Sequence, residues 1–257
     1  MNDTLASFQK LLDIMDELRA KCPWDKEQTF ESLRNLTIEE TYELADAILE
    51  KDLNEIRKEL GDVLLHIVFY SKLGSETGAF DMKSVIDGLC EKLIYRHPHV
   101  FGNETAENQE QVLGRWEELK MKEHKKSVLS GVPKSLPAVI KAARMQSKAR
   151  AVGFDWENKE DVWDKVQEEL GELKHEIETN ESKEKIEGEF GDFLFSLINV
   201  ARLYNIEPET AIERTNIKFK RRFEYLESKT IAQGRDLRSM TLAEMDVYWN
   251  EAKAQEK

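Results

Sequence analysis

The hydrophobic pattern of the chain is helical along most of its length. Apolar residues recur at spacings of three and four, which places them on one face of an α-helix. The clearest examples are Leu5, Phe8, Leu11, Leu12 and Met15, followed by Ile56, Leu60, Val63, Leu64, Ile67 and Val68. No stretch alternates convincingly at period two, and only 12 glycines and 5 prolines interrupt the chain, too few for a β-sandwich or barrel. The pattern predicts an all-α protein.

Several short motifs occur twice in the same order, about 130 positions apart, which is the signature of an internal repeat. The matched pairs are Trp24-Asp25 with Phe154-Asp155, Glu40 and Glu43 with Glu169 and Glu172, Glu59-Leu60-Gly61-Asp62 with Glu189-Phe190-Gly191-Asp192, Lys92 and Arg96 with Lys218 and Arg222, and Trp116-Glu117-Glu118 with Trp249-Asn250-Glu251. Between the copies, residues 127–137 contain two of the five prolines and a glycine. We therefore predict two copies of one helical module, as domains 1–126 and 138–257 joined by the linker 127–137.

Each copy carries an E-x-x-E and, after a short gap, an E-x-x-D motif. Residues three apart share a helix face. Asp52 and Glu55 predict a capping box that opens the second helix of the first pair, and two helices joined by a short turn pack antiparallel. Four carboxylates per copy are thus expected to face one another: Glu40, Glu43, Glu59 and Asp62 in the first, and Glu169, Glu172, Glu189 and Asp192 in the second.

Clustered carboxylates repel unless a cation or protons neutralise them. Mg²⁺ prefers oxygen ligands and also binds substrate phosphates, so the pattern favours metal-assisted phosphate chemistry. The alternative is a solvated helix face, on which Thr37 and Glu40 form no more than a capping box. Apolar Leu44 and Leu60 flank the acids of the first copy. Because acids beside apolar positions occur twice, the metal site is the favoured interpretation.

A phosphate-binding site also needs positively charged side chains. The net charge of −13 argues against binding to a nucleic-acid polymer or an anionic membrane. In this acidic chain, Lys218 and Arg222 lie four apart on one helix face, which suits polyphosphate recognition. Trp249 is able to stack on a base or ribose. The alternatives are a solvated basic patch and a core aromatic residue.

Several motifs together resemble the MazG family of nucleoside triphosphate pyrophosphohydrolases, from about Leu11 to Trp249. They are the two acidic pairs of each copy and the segments Cys22–Thr29, Arg96–Phe101 and Val152–Trp156. The resemblance implies an all-α fold of tandem MazG domains whose four-helix bundles are completed by dimerisation into a homodimer. It also implies hydrolysis of nucleoside triphosphates to the monophosphate and pyrophosphate, with broad base tolerance and Mg²⁺ (or Mn²⁺) as cofactor.

In that family the E-x-x-E and E-x-x-D acids are metal ligands, and no departure from the motif occurs in either copy. The nucleotide-contacting positions of the family correspond here to Lys165, Lys185, Lys218, Arg222 and Trp249. We hypothesise that Glu168 orients the attacking water or takes its proton. The second copy is expected to be the main catalytic site, because Lys165 lies one turn before Glu169 where the first copy has Leu36.

The sequence also predicts a cellular compartment and leaves alternative functions open. The N-terminus shows no signal peptide, no apolar run reaches about 18 residues, and Cys22 and Cys90 are isolated, so a cytoplasmic protein is expected. Gln146, Lys148 and Arg150 either reach phosphates of a neighbouring subunit or form a solvated face. The rival functions are a narrower pyrophosphatase acting on dUTP or phosphoribosyl-ATP, a non-catalytic nucleotide sensor, and a helical scaffold.

Overall fold

The computed structural model describes residues 3–106, 108, 111–112, 114–116, 119 and 127–256. Within this part of the chain every regular element is helical, which confirms the all-α prediction. No described helix is long and apolar enough to cross a membrane. The chain divides into two compact units, Met1–Val112 and Leu113–Lys257. Residues 120–126 and the repeated Glu117 and Glu118 lie outside the described residues, so the boundaries 1–126, 127–137 and 138–257 stay a prediction.

The first unit is built around two long helices that pack against each other, α3 (Phe30–Glu50) and α4 (Leu53–Glu76). A further long helix precedes them and another follows, and both contact α4. The described helices of this unit are α1 (Asp3–Lys21), α2 (Pro23–Glu27), α3 (Phe30–Glu50), α4 (Leu53–Glu76), α5 (Met82–Arg96) and α6 (Pro98–Phe101).

The second unit repeats this plan with α8 (Asp161–Glu178) and α9 (Lys183–Leu203) as its central pair. Helix α7 (Ala138–Arg150) packs against α9 and α10 (Pro208–Ala232), and the last helix packs against α10. The described helices are α7 (Ala138–Arg150), α8 (Asp161–Glu178), α9 (Lys183–Leu203), α10 (Pro208–Ala232) and α11 (Leu242–Gln255), with single 3₁₀ turns at Val128–Gly131 and Leu237–Ser239.

The two central hairpins turn by the same device. In the first, Lys51 adopts a left-handed conformation (φ 59°), and Asp52 caps α4 by accepting from the backbone N–H groups of Asn54 and Glu55. In the second, Asn180 is left-handed (φ 54°) and Ser182 caps α9. The predicted helix start at Asp52 is confirmed, whereas the predicted capping box is only half formed, because the side chain of Glu55 pairs with Lys58 and not with the backbone N–H of Asp52. Each short turn sets its two acid-bearing helices side by side.

The two units differ in what fills their interiors. The first has a tight hydrophobic cluster of Met15, Leu33, Val68, Phe69 and Leu73, all at most 6% exposed. The second has a smaller cluster of Val162, Val166 and Val200. Because valines fill less space than Met, Leu and Phe, the second unit buries less side-chain volume at this level of the hairpin.

Candidate functional site

Three carboxylates meet between α3 and α4 in the first unit. Ligand oxygens of Glu40, Glu43 and Glu59 all lie within 4.8 Å of one another. Glu59 is only 3% exposed; its Oε1 lies 2.8 Å from Lys58 Nζ, while its Oε2 is buried without a hydrogen-bond partner among the described residues. Burial and the charges of Asp62, Glu43 and Glu59 raise the pKa of Glu40. The cluster therefore holds more negative charge than its surroundings neutralise.

The second unit contains the matching trio between α8 and α9. Oxygens of Glu169, Glu172 and Glu189 also lie within 4.8 Å of one another. Glu169 is 7% exposed. Burial, followed by the charges of Glu172, Asp192 and Glu169, raises the pKa of Glu189. The repeated sequence motif is thus matched by a repeated geometry.

The structure does not place the two aspartates in these close trios. Asp62 and Asp192 lie near enough to raise the pKa of Glu40 and of Glu189, respectively. Asp192 also lies in the wall of a cavity that Glu169 lines. Each predicted set of four acids therefore consists of a trio of glutamates and one neighbouring aspartate.

Among the ion pairs of the described residues, one lysine contacts each trio, and the two lysines come from opposite helices. In the second unit, Lys165 on α8 places Nζ 2.7 Å from Glu169 and 2.8 Å from Glu168. These contacts, first of all the hydrogen bond to Glu168, raise the pKa of Lys165. In the first unit Lys58 on α4 pairs with Glu59, where the second copy has Gly188. One cation in either unit offsets only part of the charge of three carboxylates.

The capping-box alternative for Thr37 and Glu40 is wrong. Helix α3 begins seven residues earlier along the chain, where Thr29 and Ser32 form the capping box. Thr37 lies inside the helix; its hydroxyl donates to the carbonyl of Leu33 and contacts His66 Nδ1 and Tyr70 OH. Glu40 is therefore free of any capping role.

A cavity of about 580 Å³ adjoins the second trio. Its walls come from α7, α8, α9, the segment between α7 and α8, and Leu129 of the first 3₁₀ turn. Aromatic side chains and polar groups share this lining, among them Gln146, Phe154, Trp156, Lys165, Glu169 and Asn199. A volume in the range of small-molecule sites, with a few polar groups in an apolar wall, is typical of a ligand pocket.

Four of the five predicted nucleotide-contacting residues lie outside this cavity lining. Lys185 pairs with Glu181, and Lys218 is exposed on α10. Arg222 lies 5.5 Å from the ring of Trp249, and its Nε and Nη2 both donate to Oε2 of Glu256. Hydrogen bonds from Arg222 and Arg221 lower the pKa of Glu256 to about 2. Only Lys165 is brought together with the acids.

Sequence reasoning missed three polar residues at the site. Glu176 follows Glu172 by one turn; its charge raises the pKa of Glu189, and its Oε2 is buried without a described partner. The i, i+4 spacing from Glu172 was the available signal. Asn199 and Arg202 line the cavity from α9.

The solvated-face alternative for Gln146 and Lys148 is also wrong. Both residues are only 7% exposed.

Comparison with known proteins places both acid trios inside a recognised repeat. The model of the MazG nucleotide pyrophosphohydrolase domain matches residues 28–101 and again residues 157–226. The chain is 41% identical over 257 residues to the nucleoside triphosphate pyrophosphohydrolase of Escherichia coli K12, covering 97% of this chain and 98% of that protein.

Two further relatives match along nearly the whole of this chain. The nucleoside triphosphate pyrophosphohydrolase/pyrophosphatase MazG of Thermotoga maritima is 42% identical over 251 residues, covering 96% of this chain and 95% of that protein. The uncharacterized protein YabN of Bacillus subtilis is 46% identical over 255 residues, covering 97% of this chain and 52% of that protein. The predicted duplication is confirmed by the two domain matches.

Proposed function

This chain belongs to the MazG nucleotide pyrophosphohydrolase family, with the domain present twice, and on that premise we propose that it hydrolyses nucleoside triphosphates to the monophosphate and pyrophosphate. It is a hydrolase. The finer proposals are a requirement for Mg²⁺, replaceable by Mn²⁺, broad base tolerance, and a role in cytoplasmic nucleotide-pool house-cleaning. The observation that carries the proposal is that Glu169 belongs to the carboxylate trio and also lines the cavity.

The residues of both trios fit a hard divalent cation. Three carboxylate oxygens converge within 4.8 Å in each unit, and Glu59 keeps one buried oxygen without a described partner. Oxygen donors of this kind suit Mg²⁺ and Mn²⁺. The ligands we propose are Glu169, Glu172, Glu189 and Asp192 in the second unit, and Glu40, Glu43, Glu59 and Asp62 in the first. Mg²⁺ bound there supplies positive charge to phosphate oxygens and lowers the pKa of water.

We propose that Glu168 accepts the proton of the attacking water and that Lys165 stabilises the negative charge of the phosphates. Glu168 is held next to Glu169 by their shared partner Lys165. From that position Glu168 orients a water and accepts its proton as the water oxygen bonds to phosphorus. The phosphoanhydride bond breaks at the same centre, and the electron pair leaves with pyrophosphate. Lys165 holds Glu168 in place and stabilises negative charge on the phosphates.

The remaining basic residues are proposed to meet the triphosphate in a homodimer. Apolar side chains at matched positions of α4 and α9 are exposed in the single chain: Leu60 at 53% and Leu64 at 37%, Phe190 at 51% and Leu194 at 44%. Exposed apolar faces of this kind mark interaction surfaces. We propose that a second copy covers them and brings Lys185, Lys218, Arg222 and Trp249 to the site.

The second unit is proposed as the main catalytic one. In the second unit Lys165 pairs with Glu169 of the trio, whereas the matching position of the first copy is occupied by Leu36, which carries no charge. Glu172→Gln is therefore expected to abolish turnover, because it removes one proposed ligand. Glu43→Gln, the same change in the first trio, is expected to retain turnover. Equal loss in both variants would assign catalysis to both units.

Product analysis tests the reaction and its specificity together. The protein is incubated with an equimolar mixture of nucleoside triphosphates and Mg²⁺, and the products are separated by ion-exchange chromatography. We expect every monophosphate to appear with pyrophosphate, and none in excess EDTA. Release of orthophosphate and a diphosphate would refute the reaction. Turnover of one nucleotide alone would favour the narrower pyrophosphatase, and tight binding without products would favour a sensor.

A further inference from the structure

The carboxylate of Glu256 binds the guanidinium of Arg222 along one edge. Its Oε2 accepts from Arg222 Nε at 3.1 Å and from Arg222 Nη2 at 2.5 Å, while its Oε1 accepts from Nη2 of Arg221. The side chains of Arg222 and Glu256 are only 13% and 18% exposed, whereas that of Arg221 is 64% exposed. The contact with Arg222 is therefore shielded from water, and the contact with Arg221 lies in solvent, where an ion pair contributes little.

Local helix stability does not explain a glutamate at position 256. Glu256 is the C-cap of α11, and the partial negative charge at that end of a helix disfavours a carboxylate. Hydrogen bonds from Arg222 and then Arg221 lower the pKa of Glu256 to about 2, so the carboxylate stays charged at neutral pH. The contact that justifies the charge is thus the one between helices, with Arg222 on α10.

Trp249 contacts the same guanidinium. The Cζ atom of Arg222 lies 5.5 Å from the centroid of the Trp249 ring, within the range of a cation–π contact. The Trp249 ring in turn packs against Phe219, with ring centroids 5.2 Å apart. Because Trp249 and Glu256 are seven residues apart, or two turns, they present both contacts on one face of α11. The ring and the carboxylate together fix the orientation of Arg222.

The edge of Arg222 that Glu256 does not use keeps its donors. A guanidinium carries five N–H donors in a planar fork. Glu256 takes the donor of Nε and one donor of Nη2, and no other acceptor for this group occurs among the described residues. The edge formed by Nη1 and Nη2 is therefore available for a bidentate contact with phosphate oxygens, which is a strong and geometrically specific form of phosphate binding by arginine.

We propose that Glu256 is a positioning residue of the pyrophosphohydrolase, which orients Arg222 so that its second edge meets the triphosphate. The inference rests on the proposed function, in which Arg222 contacts the phosphates. An arginine that is held before the ligand arrives loses less side-chain entropy on binding. A carboxylate that only competed with phosphate for Arg222 would have the opposite effect on affinity, so the sign of the change on removing Glu256 decides between the two roles.

Glu256→Gln tests the assignment, because it keeps the shape of the side chain and removes the charge that holds Arg222. Binding of the α,β-methylene analogue of ATP with Mg²⁺ is measured by calorimetry, and this analogue resists cleavage between the α and β phosphorus atoms. We expect Kd to rise about tenfold, the effect of weakening one charge-assisted hydrogen bond. Glu251→Gln, the same change at an exposed position of α11, is the matched control and should change Kd by less than about twofold. Unchanged or tighter binding by Glu256→Gln would overturn the proposal, since loss of a negative charge alone favours a polyphosphate.

A double-mutant cycle separates positioning from a structural effect. Arg222→Gln should weaken binding of the analogue, and adding Glu256→Gln should then cost nothing further, because no arginine is left to orient. Glu256→Asp, which keeps the charge on a shorter side chain, should recover part of the affinity. Equal loss from Glu256→Gln in both backgrounds, or no loss from Arg222→Gln, would overturn the proposal. Binding that depends on both residues, without release of pyrophosphate from ATP, would instead refute the proposed function alone.

Discussion

Removing one charge from the first trio is expected to stabilise the protein when no divalent metal is present. Glu43→Gln suits this test because Glu43 is exposed and glutamine has the same shape and a similar helix propensity. At 4.8 Å, two like charges repel by about 0.9 kcal/mol at the dielectric constant of water. Glu43 faces Glu40 and Glu59, so its neutralisation relieves about 1 to 2 kcal/mol after screening by salt.

Differential scanning calorimetry measures this effect directly. For a domain of about 100 residues, 1 kcal/mol corresponds to a shift in Tm of about 4 °C or more. In EDTA, the transition of the first unit is therefore expected at a higher temperature in Glu43→Gln than in the wild type. Adding Mg²⁺ should reverse the order, because the intact trio gains binding energy that the variant lacks.

The exposed Glu91 on α5 provides the matched control. Glu91→Gln removes the same charge away from the trio, and its Tm should stay close to the wild-type value with and without Mg²⁺. Two results would refute the reasoning. A Tm of Glu43→Gln at or below the wild type in EDTA would show that the trio is not under repulsion. An undiminished Mg²⁺ shift in the variant would show that Glu43 holds no cation.

Three further expectations follow from buried groups. Phe69→Ala should lower the free energy of unfolding of the first unit by about 3 to 5 kcal/mol, measured by urea titration, because it leaves a cavity in the cluster around Met15. Burial lowers the pKa of His66, so the unfolded state binds its proton first and stability should fall as the pH drops below about 6.5; His66→Gln should flatten this slope in calorimetry between pH 7 and 5. Lys165→Met should lower the Tm of the second unit in EDTA, because buried Glu169 loses its cation, and Mg²⁺ should restore it.

The spacing of the acidic residues along the chain was enough to predict both glutamate trios. The three-residue spacing of Glu40 and Glu43 fixes a shared helix face, and the turn at Lys51 and Asp52 is short enough to bring Glu59 back against it. The same reasoning applies to the second copy, so both trios were predictable. The close trio excludes Asp62, because its place depends on the packing of α4 on α3 and not on spacing alone.

The helical class, the duplication and the two acidic clusters follow from the amino-acid pattern alone, because each depends on spacing along a helix or on order along the chain. What lies beside each cluster depends on how the helices pack in space. Phe69 and Asn199 occupy matched positions, yet one fills a core and the other lines a cavity. That outcome depends on the volumes of side chains from three helices meeting in space, which no local pattern encodes. Likewise, the side chain of Gln146 is held by a hydrogen bond from its Nε2 to the backbone carbonyl of Phe195, which lies 49 residues away along the chain.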